Sequence, residues 1–342
     1  MDNNNISVEG LKQAMIGMFG VMPLGIEYSV EPLQEGTVGD VKLITGVFET
    51  EGNEKKTFQI VLKIQKRWER PNDSGSWRRE YDLYSFGFND LFYEALSIPK
   101  CYYKEIEDGR WQIWMEYVKG VSGAELSLCM YEKAAEELGR FQGRLYIDKP
   151  ELLSKLTNLG NKDAMKDYYN LYRSKINQSE YLRSIDCIIP EHLKSMLIEI
   201  DEQADEIFSR VEQLPIVFCH RDFWNTNIIF SNDRVVLIDW DTAGYGYLAE
   251  DIVSLIADET DVNLMLDCFY LCPKAYIRGF MEFVDLSDIP DIYVIERVIL
   301  HYGYRLVEWV KHAKSEDSKK NCIDTLQKIF KMREQNYAKP NT

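Results

Sequence analysis

Apolar positions recur at helical spacing near residues 8–20, and the pattern then changes to strand-like alternation. Strands are expected at about 26–34, 39–50 and 56–65, with Gly36 and Gly39 in the first connection and Glu51-Gly52-Asn53-Glu54 in the second. A helix is expected around 75–88, followed by strands at 99–106 and 110–118 that meet at Asp108-Gly109, a hairpin turn dipeptide. After Lys119-Gly120 the pattern turns helical: about 131–147, 162–176, 190–213 and most of 247–336 in several pieces. The main interruption is Ile228-Ile229-Phe230, then polar Ser231-Asn232-Asp233-Arg234, then Val235-Val236-Leu237-Ile238. That composition predicts two strands joined by a turn. With no repeat and no low-complexity linker, the change near residue 119 reads as a hinge. It separates a small β-rich lobe, 1–118, from a larger, mostly helical lobe, 119–342, an α+β architecture.

Composition sharpens this outline. A chain of 342 residues that is 45% hydrophobic can bury a large core and divide into two lobes. Asp plus Glu number 56 against 40 Lys plus Arg, a formal charge of −16. Such a surface repels nucleic acid and anionic membrane; it serves solubility and favours cationic or neutral partners. Seven cysteines lie scattered without a CxxC pair, as in a reduced, cytoplasmic protein. Cys268, Cys272 and His301 match no common zinc spacing. The N-terminus lacks a basic n-region and no apolar run approaches 18 residues, so neither export nor a membrane span is expected.

The chemistry concentrates in His220-Arg221-Asp222-Phe223-Trp224-Asn225-Thr226-Asn227, with Asp239 twelve residues further on. Asp222 can accept a proton from an attacking hydroxyl, while Asn227 and Asp239 offer hard oxygen ligands to Mg²⁺. Antiparallel pairing about the 231–234 turn is expected to bring Asn227 and Asp239 side by side. Upstream, alternation places Phe58, Ile60, Leu62 and Ile64 on one face of a strand and Gln59, Val61 and Lys63 on the other. A lysine on an apolar strand needs an anion or a carboxylate opposite. A nucleotide phosphate is one candidate and Glu80, on the next helix, is the other.

These elements in this order resemble the aminoglycoside phosphotransferase and choline kinase group, small-molecule kinases with a protein-kinase-like fold. The resemblance runs from Lys63 and Glu80 through Trp114-Met115-Glu116-Tyr117-Val118 and the H-x-D-x-x-x-x-N loop to Ile238-Asp239-Trp240-Asp241 and Asp251. It implies that Lys63, paired with Glu80, binds nucleotide phosphates and that Asp222 is the catalytic base. By the same resemblance Asn227 and Asp239 hold Mg²⁺, and the backbone of Glu116, Tyr117 and Val118 hydrogen-bonds the purine of ATP or GTP. Asp251 would brace the catalytic loop from a helix start.

Departures from the protein-kinase pattern narrow the reading. Leu33 to Asp40 has two glycines but no G-x-G-x-x-G, and Asp239-Trp240-Asp241 replaces Asp-Phe-Gly. Asp241 serves either metal or substrate, or else a surface or capping role. Only twelve residues separate Asp239 from Asp251, too few for a regulated activation segment, and Trp224 stands where protein kinases place a lysine. Arg221 occupies the position from which protein kinases grip a phosphorylated segment. Asp285, Asp288, Asp291, Tyr302, Tyr304, Glu308 and Trp309 are either acceptor-site residues or solvated and core positions. The expected protein is a cytoplasmic Mg-dependent kinase, monomer or homodimer, phosphorylating a cationic, hydroxyl-bearing small molecule, aminoglycoside-like or an amino alcohol. The alternatives are a non-catalytic kinase-fold binding protein and a metabolic kinase for choline, homoserine or a thio-sugar.

Overall fold

In a computed structural model of the chain, the structure describes residues 6–35, 39–107, 109–148, 154–175, 178–258, 260–286 and 291–338. The Leu33-to-Asp40 segment therefore lies partly outside the described residues, at 36–38, and so do Asp108 and Asp288. The chain forms two compact units. The first comprises 1–121, 154–159 and 229–242; the second comprises 122–153, 160–228 and 243–342.

In the first unit, β1 (Gly25–Glu35), β2 (Gly39–Glu49), β3 (Lys55–Lys66), β5 (Cys101–Glu107) and β6 (Arg110–Glu116) form an antiparallel sheet in the order β1-β2-β3-β6-β5. The alternation of β3 buries both of its faces. Phe58, Ile60, Leu62 and Ile64 pack with Leu11, Ala14 and Met15 of helix α1 (Val8–Phe19). Val61 packs on the other face with Trp111, Ile113 and Met115, against Trp77, Tyr81 and Tyr84 of helix α2 (Ser76–Ser85). Lys63 shares this second face and so points towards the α2 side.

The hairpin predicted after Asn227 is present as β8 (Ile228–Ser231) and β9 (Arg234–Leu237), turning through Asn232 at φ 56°. A two-residue strand, β4 (Leu96–Ser97), adds to it in parallel and was not apparent from alternation, which needs four or more residues to register.

The second unit is mainly helical, with the helices Leu128–Asp148, Ala164–Lys175, Glu250–Ala257, Met265–Phe280 and Glu316–Ala338 among its elements. The expected helix at 190–213 is two helices, Glu191–Glu202 and Ala204–Val211, because Gln203 leaves helical geometry at φ −97°, ψ 2°. No Gly or Pro marks that break in the sequence. A further strand pair, β7 (Ile216–Cys219) with β10 (Gly244–Tyr247), holds the start of the 220–227 loop. Its second strand is half glycine, which disguised it. Among the described residues no helix is long and apolar enough to cross a membrane.

Candidate active site

Lys63, Glu80 and Asp239 come together in the first unit. Lys63 Nζ donates to Glu80 Oε2 at 2.5 Å and to Asp239 Oδ1 at 2.8 Å. Burial works against the lysine's charge, but the Asp239 and Glu80 carboxylates more than offset it, so the ammonium is held protonated. Glu80 is itself pushed up by burial and drawn back by Lys63; at this separation the pair stays ionic. Asp239 is the exposed member, its side chain 42% accessible against 12% for Lys63 and 3% for Glu80. The cluster therefore presents one hard carboxylate to solvent over a buried ion pair.

The backbone around Asp239 explains how it is aimed. Asp239 sits at φ 64°, a left-handed conformation that a non-glycine residue adopts at a cost. Trp240 anchors the bend: it is buried with its ring edge-on to Phe88 at 4.9 Å and to Phe92 at 5.5 Å. Asp241 follows, paired with Arg70 at 3.3 Å, while its carbonyl accepts from Ser76 Oγ at 2.9 Å and Arg79 Nη1 at 2.7 Å. Burial first, and Asp239 second, push the Asp241 carboxyl up to about 7. Asp241 is thus neither a surface residue nor a helix cap.

Arg79 escaped sequence reading altogether. It is 1% exposed, grips Asp73 with both Nη atoms (2.8 and 2.5 Å) and donates to the Asn158 carbonyl at 2.6 Å. Asn158 in turn donates to the Gly75 carbonyl at 2.8 Å and to Asp82 at 3.1 Å. The helix that carries Glu80 is thereby tied to the segment that carries Asp239.

Asp222 and Asn227 come together in the second unit. Asn227 Nδ2 donates to Asp222 Oδ2 at 2.8 Å and to the Asp222 carbonyl at 2.9 Å. With its amide nitrogen engaged in this way, Asn227 has Oδ1 as the atom able to meet a cation. The loop rests on Asp251, whose Oδ2 accepts from His220 N at 3.0 Å and whose Oδ1 accepts from Arg221 N at 2.6 Å. This is the bracing role expected of Asp251 from the start of a helix. Arg221 is turned inward at φ 68°: it pairs with buried Glu250 at 3.1 Å and donates to the Asn161 and Tyr245 carbonyls. Its guanidinium is thus engaged within its own unit.

Burial pushes the Asp251 carboxyl from 3.8 up to about 6, against the two backbone donors. The folded value exceeds the unfolded one, so between about pH 4 and 6 the native state binds more protons and stability falls as pH rises. A gap of roughly two units corresponds to about 3 kcal/mol. Urea unfolding at either end of this window should show Asp251→Asn losing that part of the slope. Parallel pH dependence in variant and wild type would refute the assignment.

The remaining candidates divide. Glu116 ends β6, and its N–H donates to the Lys100 carbonyl at 2.9 Å. Tyr117 packs against the Val61 cluster, and Val118 follows it in the connecting segment. Tyr304 is core: it is buried, edge-on to Tyr169 at 5.4 Å, and bonded to the Leu197 carbonyl. Tyr302 and Trp309 meet at 5.8 Å, but Arg305 lies over both rings at 5.7 and 5.4 Å and pairs with Asp258 at 3.0 Å. A resident cation thus stands on these aromatic faces. Asp285 is exposed, Glu308 is half-buried, and Asp291 caps Tyr293 N at 2.9 Å.

Comparison with known proteins bears on the whole arrangement. A family model described as the phosphotransferase enzyme family (APH) matches residues 61–266. Mouse ethanolamine kinase 2 is 34% identical over 103 residues, 30% of this chain and 25% of that protein. The human ethanolamine kinase 2 is 33% identical over 108 residues, 31% of this chain and 26% of that protein. The match thus spans about a quarter of these relatives. Among solved structures, the GDP complex of wild-type aminoglycoside 2'-phosphotransferase-IIIa is similar with a TM-score of 0.57 and 15% identity, covering 94% of this chain and 97% of that one. A microcompartment-associated aminopropanol kinase gives 0.55 at 14% identity over 91% and 93%. Choline kinase from Cryptosporidium parvum Iowa II gives 0.52 at 13% identity over 91% and 90%. The fold is therefore kinase-like.

Proposed function

The chain belongs to the phosphotransferase enzyme family, and from that premise we propose that it transfers the γ-phosphoryl group of ATP or GTP to the hydroxyl of an amine-bearing small molecule. The observation that carries the reading is the Lys63 ammonium held between Glu80 and Asp239, because a nucleotide-phosphate site requires a fixed cation beside a hard oxygen ligand. Lys63 meets phosphate oxygens and Glu80 keeps it in place. Asp239 and Asn227 are the oxygen donors we assign to Mg²⁺. One is an exposed carboxylate, and the other is an amide whose nitrogen is engaged elsewhere, so both suit a hard cation. The bound ion would neutralise charge developing on the phosphoryl oxygens.

Asp222 accepts the proton of the attacking hydroxyl, and the Asn227 amide holds its carboxylate in place. The carbonyl of Glu116 and the backbone of Tyr117 and Val118 would hold the purine. Arg221 is engaged with Glu250 and the run to Asp251 is short, which disfavours a phosphorylated activation segment and hence a protein substrate. The ethanolamine, aminopropanol and choline kinases among the similar proteins favour an amino alcohol, and the aminoglycoside phosphotransferase an amino sugar.

Coupled turnover with Mg-ATP and Mg-GTP against amino alcohols, aminoglycosides and neutral sugars tests the reading. Turnover is expected with an amine-bearing acceptor, together with a thermal shift of several degrees on saturation with one Mg-nucleotide. No shift with either nucleotide would leave the non-catalytic binding protein as the better account.

A further inference from the structure

The loop that carries Asp222 is held by Asp251, and Asp251 is itself held. Gln142 lies on the helix Leu128–Asp148 and is 1% exposed, far from the loop in sequence. Its Nε2 donates to Asp251 Oδ2 at 2.9 Å and to the Phe218 carbonyl at 2.9 Å. Its Oε1 accepts from the Tyr276 hydroxyl at 2.6 Å, and that hydroxyl accepts from Ala249 N at 3.2 Å. One buried amide therefore joins the strand entering the loop, the carboxylate beneath it, and the residue just before the helix Glu250–Ala257.

The sequence builds this contact through glycine. The helices Leu128–Asp148 and Met265–Phe280 cross so closely that a Cβ on Gly139 would stand 2.1 Å from the Tyr276 carbonyl, and one on Gly279 2.1 Å from the Glu136 carbonyl. In that close crossing the Tyr276 hydroxyl reaches Gln142. A glutamine buried in an apolar crossing is costly unless every polar atom is matched. Here the amide is matched by Asp251, Phe218 and Tyr276, with Cys219 Sγ 3.9 Å from its nitrogen, and Asp251 in turn accepts from the His220 and Arg221 backbone.

We propose that Gln142 and Tyr276 are positioning residues for phosphoryl transfer: they fix the Asp251 carboxylate, and through it the backbone of His220 and Arg221 that aims Asp222. This rests on the assignment of Asp222 as the base. Both residues are buried, Gln142 at 1% and Tyr276 at 0% exposure, and act through Asp251, so their effect falls on kcat and leaves nucleotide KM nearly unchanged.

Gln142→Leu removes both donors and should lower kcat about tenfold to a hundredfold, with nucleotide KM within about threefold of wild type. Tyr276→Phe keeps the ring in the crossing and should fold even where Gln142→Leu does not; its kcat should fall about fivefold to tenfold. Rates are normalised to the nucleotide-binding stoichiometry of each preparation, so a partly unfolded sample does not mimic the effect. In a double-mutant cycle, Tyr276→Phe and Asp251→Asn should be strongly non-additive in kcat. A Tyr276→Phe enzyme with kcat within twofold of wild type, or additive effects in the cycle, overturns the inference. Undiminished turnover by Asp222→Asn would instead overturn the assignment of the base, so the two failures are distinguishable.

Discussion

Asp222→Asn should lower turnover by three or more orders of magnitude while leaving Mg-nucleotide affinity within a few-fold of wild type. The size follows from what is removed. General-base catalysis contributes about 10²–10⁴-fold, and the substituted amide puts a donor where the acceptor hydroxyl must deliver its proton. The small change in affinity follows from location: Asp222 bonds to Asn227, whereas Lys63, the cation proposed for the phosphates, is fixed by Glu80 and Asp239 in the other unit. Asn227 complicates the substitution, because an amide at 222 can still accept from its Nδ2 but only in one rotamer. Asp239→Ala supplies the contrast. It removes a proposed metal ligand and one of the two carboxylates on Lys63, so metal-dependent nucleotide binding should be lost along with turnover. Calorimetric titration of Mg-nucleotide, set beside the coupled assay, separates the two variants. Equal loss of binding in both would sink the division of roles.

What the sequence made legible was periodic or motif-borne. The alternation of β3 announced a lysine facing away from Phe58, Ile60, Leu62 and Ile64, and the structure places those four in one core cluster. The spacing from His220 to Asp239 singled out a candidate set, Asp222, Asn227 and Asp239. The supports of that set were not legible, because they are contacts between residues far apart in sequence with no local signature. Arg79 looks like any helical arginine until Asp73, Asn158 and the Asp241 carbonyl are found around it. Gln142 sits in a run of ordinary helix formers, and the Gly139 and Gly279 that bring Tyr276 to it read as weak points in a helix. Tyr304 was legible only as a choice: an aromatic near acidic residues could line a cleft or fill the core, and it lies in the core against Tyr169. Composition registers which groups are present; which of them face each other is decided by tertiary packing.

Arg79→Leu should destabilise the protein by about 3–5 kcal/mol, the range for removing one partner of a buried ion pair. Leucine fills much of the arginine stem's volume, so the loss is polar in origin. Asp73 keeps an unpaired carboxylate, moderated because 24% of its side chain reaches solvent, while the Asn158 and Asp241 carbonyls each lose a charged donor. Ser76 Oγ still reaches the Asp241 carbonyl, which limits the damage there. Arg79→Lys restores the charge without the planar fork that spans both Asp73 oxygens and two carbonyls, so it should recover less than half of the loss. Denaturant titration is the measurement, with the midpoint falling and the slope unchanged. Function should follow stability through geometry: Arg79 adjoins Glu80 and holds the carbonyl two residues past Asp239. At temperatures where Arg79→Leu remains folded, Mg-nucleotide affinity should therefore still be weakened. A variant within 1 kcal/mol of wild type would show that the clamp does not hold the fold, and one that is destabilised yet binds nucleotide normally when folded would show that it supports the fold alone and not the Lys63–Glu80–Asp239 cluster.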